Sequence, residues 1–197
     1  MAAGRRRAAL KDRAPRTYRE RAKPVKKGLL IVYTGEGKGK TSAALGAVFR
    51  ALGHGWRVGV VQFIKGKWKT GESLFARGLK GRLDFFCMGE GFTWDTKDFK
   101  RDVECARRAW GKCMEMMLDA RYRLVVFDEL SYVLKYHFLP VGEVLAGLKK
   151  RPPQTHCIIT GRDAPKELVE EADLVTDMRL VKHPYQEGIQ AQLGIDF

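Results

Sequence analysis

The chain has 197 residues, of which 45% are hydrophobic, and it carries a formal net charge of +14. This length suits a single domain of roughly 100–200 residues, and the hydrophobic share excludes wholesale disorder. No apolar run approaches the roughly 18 residues of a membrane-spanning helix and none follows the basic N-terminus, so we expect neither a membrane anchor nor a secretory signal.

The first segment of the chain is strongly basic. Residues 1–27 contain eleven basic and two acidic residues, a net charge of +9 that leaves +5 for residues 28–197. We therefore predict a flexible basic arm over 1–27 and one domain over 28–197. The alternatives for the arm are a presequence, which Asp12, Glu20 and the lack of serine disfavour, and an arm that orders over a bound anion. A charge of +5 suits a polyphosphate substrate as well as a nucleic acid.

Short apolar runs alternate with longer segments of helical periodicity after the arm. In chain order the predictions are strand 28–33, helix 41–53, strand 57–63, strand 83–88, helix 98–120, strand 123–129, helix 141–150, strand 156–161, helix 165–172 and strand 173–181. This alternation predicts an α/β fold with a mostly parallel sheet of about six strands and helices on both faces. Ligands of such sheets bind at the carboxyl ends of the strands.

Residues 34–41, Thr-Gly-Glu-Gly-Lys-Gly-Lys-Thr, connect the first strand to the first helix. They match the P-loop pattern G-x-x-x-x-G-K-[ST] except that Thr34 stands at the first glycine. The glycines allow backbone N–H groups to face a phosphate, Lys40 adds a charge and the Thr41 hydroxyl is placed for Mg²⁺. The predicted nucleotide-binding residues are Thr34, Gly35, Glu36, Gly37, Lys38, Gly39, Lys40, Thr41, Ser42 and Arg162, with Lys38, Lys40 and Thr41 as the catalytic ones.

Two carboxylates end the apolar run 123–129. A P-loop enzyme usually has an acidic metal site at the end of a buried strand, and Asp128 and Glu129 occupy that position. Adjacent residues of a strand point to opposite sides, so one of the pair can face the metal while the other caps a neighbouring loop. We predict Thr41, Asp128 and Glu129 as the Mg²⁺ ligands.

Two further features concern the second ligand. The glycine-flanked loop 89–98 contains Phe92 and Trp94, which either pack into the core or form an apolar wall for a flat ligand. Arg162 and Lys182 follow predicted strand ends, where they can grip phosphate or carboxylate oxygens, or lie on the surface as ordinary cations.

Six segments together resemble the ATP:corrinoid adenosyltransferases. In chain order they are TGEGKGKTSAALG, VGVVQFIKG, GEGFTW, VVFDELSY, ITGRDAP and VKHPYQEGIQAQLGIDF. The resemblance runs from about residue 26 to the C-terminus and includes the Thr-Gly start of the loop, so Thr34 belongs to this family's form of the motif.

The resemblance implies a reaction in which ATP lies reversed in the P-loop and triphosphate is the leaving group. Co(I) of a reduced corrinoid attacks the ribose 5′ carbon, with Thr41 and Glu129 as Mg²⁺ ligands. Phe92 and Trp94 resemble an aromatic pair that packs on the lower corrin face and keeps out the axial ligand, which makes Co(II) easier to reduce. The resemblance also implies a homodimer that receives electrons from a reduced flavin or flavoprotein. The cytoplasmic location is expected from the four cysteines, Cys87, Cys105, Cys113 and Cys157, which show no C-x-x-C spacing and are predicted to be reduced thiols.

Two other functions fit the P-loop by itself. A basic P-loop ATPase would use the +9 arm to anchor nucleic acid, but the chain shows no recognition-helix or RRM signature. A kinase would need a base and a lid, and we find no sequence feature for either. Product analysis separates the three: triphosphate for the adenosyltransferase, ADP with phosphate for the ATPase, and ADP with a phosphorylated metabolite for the kinase.

Overall fold

The computed structural model describes residues 26–64, 70–89 and 98–196. Its strands are Leu30–Thr34 (β1), Arg57–Gln62 (β2), Leu83–Cys87 (β3), Tyr122–Asp128 (β4), His156–Thr160 (β5) and Leu174–Asp177 (β6). Its α-helices are Lys40–Gly53 (α1), Gly71–Ala76 (α2), Phe99–Leu118 (α3), Leu130–Lys135 (α4), Val141–Leu148 (α5) and Lys166–Glu171 (α6). Short 3₁₀ helices span Arg77–Leu79 and Pro184–Glu187.

All six strands form one parallel sheet in the order β3-β2-β4-β5-β1-β6. The predicted α/β class with a six-stranded sheet is confirmed. Because the strands are parallel, all their carboxyl ends lie at one edge of the sheet. Strand β5 lies between β1 and β4, so the P-loop after β1 and the acidic pair after β4 flank the end of β5.

Two hydrophobic cores cover the two faces of the sheet. On one face, Ala44 and Val48 of α1 pack with Val58, Val126 and Ile158 of the sheet. On the other face, side chains from α3, α4, α5 and α6 pack against the alternate residues of the same strands. The predicted covering of both faces by helices is therefore confirmed, and it explains the unbroken apolar character of β4 and β5.

Two helices escaped the sequence prediction, and the last strand is shorter than predicted. Helices α2 and α4, of six residues each, correspond to no predicted helix, whereas the equally short α6 lies within the predicted helix 165–172. The strand predicted over 173–181 ends at Asp177, because the backbone beyond it turns towards the P-loop. Within the described residues, no helix is long and apolar enough to span a membrane.

Candidate active site

The backbone of the P-loop explains two of its glycines directly. Gly35 and Gly39 have φ angles of 96° and 106°, in the left-handed region that residues with a side chain rarely adopt. Helix α1 begins immediately after Gly39, so its first N–H groups face the same side as the loop. This end of the helix attracts anions.

The segment that follows β6 forms backbone hydrogen bonds with the P-loop. The Met178 N–H donates to the Thr34 carbonyl at 2.9 Å, and the Gly37 N–H donates to the Met178 carbonyl at 2.6 Å. A Cβ atom on Gly37 would lie 2.5 Å from the Arg179 carbonyl oxygen, so only glycine allows this approach. Because β6 ends at Asp177, the residues that follow it contact the P-loop and hold it in position.

Thr34 makes a contact that a glycine could not. Its Oγ1 accepts a hydrogen bond from the Ala164 N–H at 3.2 Å, which joins the start of the P-loop to the loop after β5. The departure from the usual motif thus has a structural use, since it links the P-loop to the segment that carries Arg162.

A cavity of about 520 Å³ lies above the loop. Of the predicted site residues it brings together Gly37, Lys38, Gly39, Lys40, Thr41, Ser42, Glu129 and Arg162. Thr34, Gly35 and Glu36 line a second cavity of about 560 Å³, beside Asp177 and Arg179. Lys182 lines neither cavity and pairs with Glu187 at 2.8 Å.

Asp128 is the centre of a buried hydrogen-bond network and is only 1% exposed. Its Oδ1 accepts from the hydroxyls of Thr41 at 2.8 Å and Thr160 at 2.6 Å, while its Oδ2 accepts from the Gln62 amide at 2.9 Å. With both oxygens engaged, this carboxylate does not line the cavity. It acts on the cavity through Thr41, whose hydroxyl it orients.

Glu129 is the carboxylate of the pair that does line the cavity. Its backbone has a φ of 66°, and its N–H donates to the Thr160 hydroxyl at 2.9 Å. This left-handed residue turns the chain from β4 directly into α4, so that Asp128 and Glu129 point to different places. The alternative in which the two carboxylates have separate tasks is the one that the geometry favours.

The three predicted cations that line the main cavity have different partners. Lys40 donates to the carbonyls of Gly35, at 2.6 Å, and Gly37, and burial together with nearby Arg162 lowers its pKa. Arg162 lies 3.4 Å from the Glu36 carboxylate. Lys38 forms an ion pair with Asp196. All three cations meet at one cavity, which makes it suitable for a polyanion.

Several cavity residues were missed by the sequence analysis, namely Tyr132, Thr160, Gly161, Ile195 and Asp196. Thr160 could have been found, because it is the polar last residue of an apolar strand whose carboxyl end faces the ligand side. Tyr132 lies in α4, a helix that was not predicted, and burial is the main cause of its raised pKa.

The predicted corrinoid residues Phe92 and Trp94 lie outside the described residues. The structure describes the start of their loop, where the backbone contacts the end of β2. The Met88 N–H donates to the Gln62 carbonyl at 2.9 Å, and a Cβ on Gly89 would lie 2.4 Å from the Ile64 carbonyl carbon. The loop therefore leaves the sheet beside Gln62, the residue that also holds Asp128.

Comparison with known proteins decides which P-loop family this is. The family model described as ATP:corrinoid adenosyltransferase BtuR/CobO/CobP matches residues 26–197. The chain belongs to this family. The match begins where the basic arm ends, and it supports the adenosyltransferase over the nucleic-acid-binding ATPase and the kinase.

Curated relatives agree over most of their length. A corrinoid adenosyltransferase of Pseudomonas aeruginosa is 45% identical over 197 residues, covering 95% of this chain and 97% of the relative. One from Escherichia coli K12 is 45% identical, covering 87% and 86%. Among solved structures, the flagellar accessory protein FlaH from Methanocaldococcus jannaschii aligns with a TM-score of 0.51 at 16% identity, over 78% of this chain and 72% of that chain. This last likeness concerns the fold alone.

The contacts of Thr160 generate a prediction about stability. Thr160→Val keeps the side-chain volume but removes the buried hydroxyl that joins Asp128 to the Glu129 backbone. Because water cannot replace it there, we expect the free energy of unfolding in urea to fall by about 1–3 kcal/mol. Thr160→Ser keeps the hydroxyl and is the matched control. A serine variant less stable than the valine variant would show that these hydrogen bonds do not hold the site together.

Proposed function

We propose that the chain transfers the 5′-deoxyadenosyl group of ATP to Co(I) of a corrinoid and releases triphosphate. The observation that carries this proposal is the family match over residues 26–197. The cavity supports it, because the glycines of the P-loop, the start of α1 and three cations line the place where a polyphosphate would bind.

The reaction needs no general base. The electron pair of Co(I) forms the cobalt–carbon bond to C5′, the C5′–O bond breaks, and its electron pair leaves on the triphosphate. No proton moves, so the protein's task is to hold the reactants in line and to stabilise the charge that grows on the leaving oxygen. Lys38, Lys40 and Arg162 are the side chains that we assign to this task.

We further propose that Thr41 and Glu129 hold Mg²⁺, with Asp128 orienting the Thr41 hydroxyl. Within the described ranges, no group of three or more His, Cys, Asp or Glu side chains could hold a metal by itself. That fits Mg²⁺, which usually binds one or two protein carboxylates and takes its other oxygen ligands from phosphates and water. When bound, it would neutralise part of the triphosphate charge.

The reaction is tested by anaerobic incubation with ATP, Mg²⁺ and chemically reduced Co(I)alamin. We expect the corrin spectrum of a cobalt–carbon bond together with inorganic triphosphate, and ADP with phosphate would contradict the proposal.

Lys40→Ala should lower kcat/KM by about a hundredfold or more, as when one preorganised charged contact is lost. Lys149→Ala, an exposed lysine paired with Glu171, is the matched control and should retain full turnover.

Phe92 and Trp94 are proposed to form the apolar wall for the corrinoid, on the strength of the family resemblance. If they exclude the axial ligand, alanine at either position should slow adenosylation from Co(II) with a weak reductant by roughly tenfold. The loss should be smaller when Co(I) is supplied chemically. Phe49→Ala, which removes an exposed aromatic ring of α1, is the control. Equal losses from Co(II) and Co(I) would mean that the two rings only support the fold.

Two partners are proposed from the resemblance. One is a second copy of the chain, and the other is a reduced flavin or flavoprotein that supplies the electron for Co(II). Sedimentation equilibrium is expected to give twice the mass of one chain at micromolar concentration. A single-chain mass throughout the concentration range would contradict the homodimer.

A further inference from the structure

The C-terminal turn Gln192–Asp196 lies at the mouth of the nucleotide cavity. Ile195 and Asp196 line the main cavity beside the P-loop, and Gly194 joins them in lining an adjoining cavity of about 270 Å³ next to Thr41 and Glu72. The turn therefore contributes to the wall of the cavity that the P-loop also lines.

Hydrogen bonds within the turn fix its shape. The Asp196 N–H donates to the Gln192 carbonyl at 2.8 Å, and the Gln192 N–H donates back to the Asp196 carboxylate at 2.7 Å. Gly194 has a φ of 81°, which allows the tight bend. The apolar side chains Leu193 and Ile195 are 81% and 82% exposed, so burial of these groups does not explain why the turn lies here.

Asp196 is the link between the turn and the P-loop. One carboxylate oxygen is held by the Gln192 N–H, and the other pairs with the Lys38 ammonium. The Asp196 side chain is 13% exposed, whereas Lys38 is 52% exposed. An ion pair with a half-exposed lysine adds little stability, because solvent screens it. Its effect is geometric, since an otherwise mobile lysine side chain is directed to one place in the cavity.

We propose that Asp196 is a positioning residue that holds Lys38 in the orientation that binds the triphosphate of ATP. This rests on the proposed function, in which Lys38 contacts the leaving group. It assigns a role to the last part of the segment VKHPYQEGIQAQLGIDF, which the sequence marked only by its resemblance. The C-terminal turn is thereby part of the active site, although it follows the last strand by fifteen residues or more.

The test measures binding of inorganic triphosphate by calorimetry, together with kcat and KM for ATP and for the corrinoid. Asp196→Asn removes the charge but keeps an oxygen for the Gln192 N–H. We expect the Kd for triphosphate and the KM for ATP to rise by roughly three- to tenfold, as Lys38 regains its rotamer freedom. The KM for the corrinoid and the melting temperature should stay unchanged. Glu187→Gln is the matched control. It neutralises a carboxylate in the same segment that pairs with a different lysine, Lys182, away from the cavity.

A double-mutant cycle shows whether Asp196 acts through Lys38. In a Lys38→Met background, Asp196→Asn should have no further effect on triphosphate binding. The proposal is overturned if Asp196→Asn weakens triphosphate binding by the same factor in the Lys38→Met background. It is also overturned if the single variant Asp196→Asn binds triphosphate as tightly as the unaltered protein or more tightly. Because triphosphate binding needs no corrinoid, these results stand apart from the test of adenosyl transfer itself.

Discussion

The buried carboxylate of Asp128 is the interaction on which the site depends. It receives hydrogen bonds from Thr41 of α1, Thr160 of β5 and Gln62 of β2, and so joins a helix to two strands that lie on either side of β4. A buried carboxylate is costly unless its oxygens are satisfied, and here three donors satisfy them. The hydroxyl of Thr41 is thereby held in one orientation. The second carboxylate, Glu129, faces the cavity.

A second constraint acts on the other side of the P-loop. The backbone at Met178 and Arg179 contacts the loop so closely that Gly37 can have no side chain. Thr34 joins the same loop to Ala164, which brings Arg162 towards the phosphate position. The loop is therefore held by contacts from the segment after β6 and from the loop after β5, and helix α1 begins directly behind it. Such a preorganised cradle is what stabilises a departing polyanion without further rearrangement.

The chemistry of the family explains which groups the site contains. Co(I) is a nucleophile with no proton to lose, so a base beside the reacting carbon would have nothing to do. The described cavity residues are instead cations, hydroxyls, glycines, two carboxylates and one aliphatic side chain. Gln62 connects two parts of this edge of the sheet, because its side chain holds Asp128 and its backbone carbonyl accepts from Met88, which precedes the loop 89–98. The P-loop threonine and the start of the loop 89–98 are thus both connected to the end of β2.

The sequence by itself determined the parallel sheet, the P-loop, the acidic pair after β4 and the family, because strand periodicity and motif spacing are local properties of the chain. The residues by themselves did not say which of Asp128 and Glu129 lines the cavity, and only the resemblance singled out Glu129. Their placement depends on a left-handed backbone at Glu129 and on donors to Asp128 from β2, α1 and β5. It also gave no reason to place Asp196 beside Lys38, 158 positions apart in the sequence. Contacts between such distant residues arise only when the sheet brings strand ends together, and so only the tertiary structure could decide them.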